Sequence, residues 1–129
     1  MKTPKFNSEG DDKTTFAPVE LSKHPEGAYI QFLVCDWGRI HGAFGDTVDD
    51  YYLNGYGIEG LVMACRLHAG LEPEADNMEY NSEGDACYIC FENLDDAVET
   101  AQLVSQTLND RKTLEAMISV ARENGFEDS

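Results

Sequence analysis

The apolar positions of this chain change period several times, and each change marks an expected element. Phe16, Val19 and Leu21 predict a first strand over Thr14 to Leu21, perturbed by Pro18. After the turn signal Lys23-His24-Pro25-Glu26-Gly27, the aromatic and β-branched run Ala28 to Val34 predicts its hairpin partner. From Ile58 to His68 the steps lengthen to three and four residues. Ile58, Leu61, Val62, Cys65 and Ala69 then form one helical face, stopped by Gly70 and Pro73. Met78 and Tyr80 alternate before the turn Asn81-Ser82-Glu83-Gly84-Asp85, and Ala86 to Phe91 completes a second hairpin. Ala97, Val98, Ala101, Val104 and Leu108 mark a helix from about Leu94, capped by Asn93 or Asp95. Leu114, Met117, Ile118 and Ala121 mark another from about Arg111 to Glu123, with Gly125 as its stop.

The order β-β-α-β-β-α-α predicts an α+β domain, with an antiparallel sheet of about four strands, built from two hairpins, under about three helices. Residues 1–13 show neither period and are expected as a flexible polar leader to a single domain over 14–129. Residues 36–56 also lack a clean period and are rich in glycine, which predicts a long connection. Long connections in small domains usually carry function.

Charge sharpens that expectation. The formal net charge is −16, and residues 1–23 contribute nothing to it, because their lysines and acids cancel. Asp36 to Glu99 holds fifteen Asp or Glu against only Arg39 and Arg66. Such a surface opposes nucleic acid and anionic membranes and suits a basic protein partner. No stretch is long and apolar enough to span a bilayer, and the N-terminus lacks the apolar segment of a signal peptide, so the expected location is the cytoplasm.

Specific chemistry is weakly signalled. Cys87 and Cys90 have C-x-x-C spacing, and Cys65 with His68 would complete a nominal zinc set. Within a strand, however, residues three apart face opposite ways, so the four cysteines are expected as reduced core residues. His24, His41 and His68 are scattered. His41, near Asp36 and Asp46, would be a general base only beside a substrate pocket that the sequence does not indicate. Asp46, Asp49 and Asp50 lack the register of a calcium loop, and no phosphate-cradling or dinucleotide motif is present. The expectation is a non-enzyme without cofactor or metal.

The aromatic and acidic run Asp46 to Tyr56 has two compatible readings. Tyr52 and Tyr56 fold inward beside the first helix, or Trp37, Tyr51 and Tyr52 anchor a partner whose cations meet Asp46, Asp49, Asp50 and Glu59. Glu79, Glu83 and Asp85 on the second hairpin form a lesser patch.

Leu53-Asn54-Gly55-Tyr56-Gly57-Ile58-Glu59-Gly60-Leu61 is followed by Met78-Glu79-Tyr80-Asn81-Ser82-Glu83-Gly84-Asp85-Ala86-Cys87-Tyr88 and then by Asn93-Leu94-Asp95-Asp96-Ala97. This succession resembles the bacterial immunity protein 51 family over roughly residues 28–108. The resemblance implies a small antidote that binds the C-terminal domain of a cognate toxin, as a monomer or weak dimer. An acidic inhibitor would suit a toxin with a basic surface, such as a nuclease. The alternative is an acidic adaptor or nucleic-acid mimic that binds a basic housekeeping protein; a small hydrolase using His41 is a third reading.

Overall fold

The computed structural model describes residues 2–23 and 29–126. His24, Pro25, Glu26, Gly27 and Ala28, which carry most of the first expected turn and the start of the second expected strand, lie outside the described residues. The elements are β1 (Asp11–Asp12), β2 (Val19–Lys23), β3 (Ile30–Val34), α1 (Trp37–Phe44), β4 (Thr47–Val48), β5 (Tyr51–Tyr52), α2 (Gly55–His68), β6 (Met78–Tyr80), β7 (Cys87–Phe91), α3 (Leu94–Leu108) and α4 (Arg111–Glu123).

The strands β1-β2-β3-β7-β6, in that spatial order, form one antiparallel sheet, and β4 and β5 pair separately. The period of two decides which side of the sheet is core. Val19 and Leu21, Phe32 and Val34, and Cys87, Ile89 and Phe91 all point inward and are buried. Helices α2 and α3 cover that face, and α4 packs on both. The expected helical stripes are buried from Ile58 to Cys65, Ala97 to Leu108 and Leu114 to Ala121, whereas Ala69, expected on the first of them, is the exposed C-cap of α2. Each helix begins at an Asp or Asn whose side chain accepts from a backbone N–H three residues on: Asp36, Asn54, Asn93 and Asp110. No helix among the described residues is long and apolar enough to cross a membrane.

Three local expectations change. The polar leader is bonded to the sheet: Asp11 and Asp12 pair with Ser22 and Leu21. Asp12 is buried, and its carboxylate accepts from the backbone N–H groups of Lys5, Thr14 and Thr15. Burial alone would raise its pKa, but these donors hold it below the ordinary carboxylate value. The turn so formed delays the first long strand to Val19. Finally, the aperiodic segment 36–56 is ordered as α1 and the β4–β5 hairpin. Helix α1 escapes pattern reading because it is short, contains Gly38 and Gly42, and buries only Ile40.

Helix α2 approaches its neighbours closely through glycine. A Cβ on Gly55 would overlap the carbonyl oxygens of Glu83 and Ala86, and one on Gly57 the carbonyl oxygen of Tyr52. Backbone obstructs both positions, so no side chain can swing aside. Gly42 has open space around it. Gly55→Ala is therefore expected to destabilise by about 3 kcal/mol, whereas Gly42→Ala stabilises by up to about 1 kcal/mol through helix propensity. Urea midpoints of the two variants, moving in opposite directions, check the assignment.

Candidate functional site

The β4–β5 hairpin turns in two residues, Asp49 and Asp50, with φ of 50° and 65°. Left-handed backbone at both central positions is the turn that matches strand twist, and Asp tolerates it better than most residues. The register then sends Val48 and Tyr51 into the core and Tyr52 outward, 61% exposed. Tyr51, expected as a partner anchor, is instead only 1% exposed. Its hydroxyl donates to the Gly57 carbonyl at 2.5 Å. Tyr52 and Tyr56, which one of the two readings folds inward, both stay exposed. Arg122 of α4 stands over the Tyr51 ring and donates to the Asp49 carbonyl.

On the other flank, His41 joins α1 to the hairpin. Its Nδ1 lies 3.3 Å from an Asp46 carboxylate oxygen and its Nε2 lies 3.3 Å from the Leu53 carbonyl oxygen. With both ring nitrogens engaged, His41 acts as a clasp. Trp37 stacks on it and donates Nε1–H to the Asp85 carbonyl at 2.6 Å, while the Gly55 N–H donates to the Gly84 carbonyl. These bonds bring the tip of the β6–β7 hairpin against α1 and the start of α2. Exposed Glu83 and Asp85 thereby join exposed Asp46, Asp49 and Asp50 and half-buried Glu59 at one end of the molecule. Trp37 belongs to that region through its half-buried ring. Glu79 does not, because it pairs with Cys90 on the sheet face turned away from the helices.

Of the two arginines among those acids, Arg66 never reaches the surface. It is 2% exposed, donates to Asp96 at 3.0 Å, to Thr100 at 2.7 Å and to the Glu72 carbonyl at 2.8 Å, and faces the Phe91 ring. Sequence reasoning passed over this network. The available signal was that Leu61 to Cys65 are all apolar, so the helix is buried nearly all round and Arg66 enters with it. The surface of Asp36 to Glu99 consequently carries one cation, Arg39, bonded through its guanidinium to Asn109.

The nominal zinc ligands separate: Cys87 points into the core and Cys90 away from it. Among the described residues no three His, Cys, Asp or Glu side chains converge as a metal site. No protein-family model, curated protein or solved structure matches the chain.

Burial pushes the Cys65 thiol up to about 11 and the Cys87 thiol up to about 12, and raises the Tyr80 hydroxyl as well. The folded state keeps these protons after the unfolded chain has released its own, so stability is full below the ordinary thiol value and lost as pH rises above it. The urea midpoint is expected to fall steadily from pH 9 towards 11. At pH 8 a small alkylating reagent is expected to modify exposed Cys35 first, and Cys65 and Cys87 only at the rate of unfolding, as mass spectrometry would resolve.

Proposed function

We propose that this protein is a cytoplasmic immunity protein that binds and neutralises a cognate toxin domain with a basic surface, such as a nuclease. The observation that carries this reading is that Asp46, Asp49, Asp50, Glu83 and Asp85 are all exposed on two hairpins bonded together through α1 and the start of α2, with the exposed rings of Tyr52 and Tyr56 on the same elements. Rigid aromatic rings among carboxylates supply both contact area and charge complementarity for a cationic partner. A field of this sign speeds association by about 10- to 1,000-fold, which suits an antidote that must capture its target before damage accumulates.

The direct test is co-expression with the C-terminal domain of the large protein encoded immediately upstream, scoring survival together with co-purification. Survival with a stable complex supports the reading; death despite abundant folded protein, or survival without a complex, removes it.

The turn geometry dictates how the loop is probed. Asn retains the left-handed conformation of Asp49 and Asp50 while removing their charge, whereas Lys would add backbone strain to the electrostatic change. Asp49→Asn with Asp50→Asn is expected to slow association with the toxin domain several-fold and flatten its salt dependence, with dissociation little altered. Stopped-flow kinetics at two salt concentrations give the answer, and unchanged association would place the contact elsewhere.

A further inference from the structure

Helices α2 and α3 pack on one side of the five-stranded sheet, and among the described residues no helix packs against the other. The pairing register arranges that open face into two lateral rows. One runs Asp11, Ser22, Gln31, Cys90, Glu79, and the other Glu20, Leu33, Tyr88. Carboxylates stand at both ends of the first row and at one end of the second, where Leu33 and Tyr88 sit side by side. Neither row contains a cation; Lys13 acts on Cys35, beyond the Glu20 end. At the opposite end the face opens into a cleft of about 570 Å³, lined by Asp76, Glu79 and Glu92 together with Tyr29, Asn77 and Cys90. Three carboxylates around one hollow match an arginine or lysine side chain. A small apolar centre within a charged rim is the anatomy of a protein-binding patch, and its charge selects the partner.

We propose that this open sheet face is a second docking surface, and that its occupant is a basic protein segment with one Arg or Lys side chain in the Asp76–Glu79–Glu92 cleft. The inference rests on the reading that the partner is a cationic protein, and it adds a surface which the acidic loop region does not share. Glu79, set apart from the other predicted contacts, belongs here.

A short poly-arginine peptide titrated into isotopically labelled protein separates the possibilities residue by residue. Saturable amide shifts at Gln31, Leu33, Tyr88 and Cys90 are expected. Glu20→Lys with Glu79→Lys is expected to weaken them roughly tenfold, while Asp49→Asn with Asp50→Asn leaves them in place. Inward-facing amides such as Phe32 and Ile89 report whether the sheet stays folded in the reversed variant. Shifts confined to Asp46–Tyr56 and Glu83–Asp85, or sheet-face shifts untouched by the reversal, overturn this surface and leave the proposed function standing. Absence of saturable binding anywhere also overturns this surface, and the proposed function is then judged by the co-expression test alone.

Discussion

The guanidinium of Arg66 is a charge enclosed by the protein, and the arrangement of the helices depends on how it is accommodated. An arginine without partners in that position would cost several kcal/mol. Asp96 in the first turn of α3 supplies the countercharge, Thr100 one turn later accepts a second bond, and the Glu72 carbonyl accepts a third from the chain leaving α2. One side chain thus fixes α2 against α3 and the following turn, and its planar donor set makes the relative position specific. The same withdrawal leaves Arg39 as the one Lys or Arg of the Asp36–Glu99 segment at the surface.

Tight backbone contact does for the other end of α2 what Arg66 does for its C-terminal half. Gly55 admits the Glu83–Ala86 turn and Gly57 admits the end of β5, so two chain segments distant in sequence meet on one helix end. Tyr51 then bonds to Gly57, and His41 and Trp37 link α1 to both. The acidic surface is therefore a consequence of core construction, since its carboxylates project from backbone held by buried tyrosine, glycine and carbonyl groups.

The periodic elements were legible because burial on one side imposes a period. Apart from exposed Ala69, the stripes of α2, α3 and α4 and the alternation in β7 map onto buried residues. Elements too short to show a period were not legible: α1, which buries Ile40 alone, and the two-residue strands β1, β4 and β5. The order of α1 and the β4–β5 pair comes from long-range partners, such as the Trp37 bond to the Asp85 carbonyl and the Arg122 bond to the Asp49 carbonyl, that no local window contains. Among the candidate residues, the carboxylates could be read as exposed from charge alone. The choice between Tyr51 and Tyr52 needed the hairpin register, because a shift of one residue exchanges inside and outside. The separation of Glu79 from Glu83 and Asp85 likewise follows from pairing across the sheet rather than from proximity in sequence.

The clasp of His41, Trp37 and Tyr51 around the β4–β5 hairpin has a thermodynamic consequence. A free acidic loop would have to surrender backbone entropy whenever it was captured, roughly 1–2 kcal/mol for each residue ordered. Here that entropy is given up when the chain folds, in the same step that closes the core. A partner docking on the carboxylates meets a surface already in place, so most of the attraction it feels remains as affinity instead of being consumed by ordering the loop.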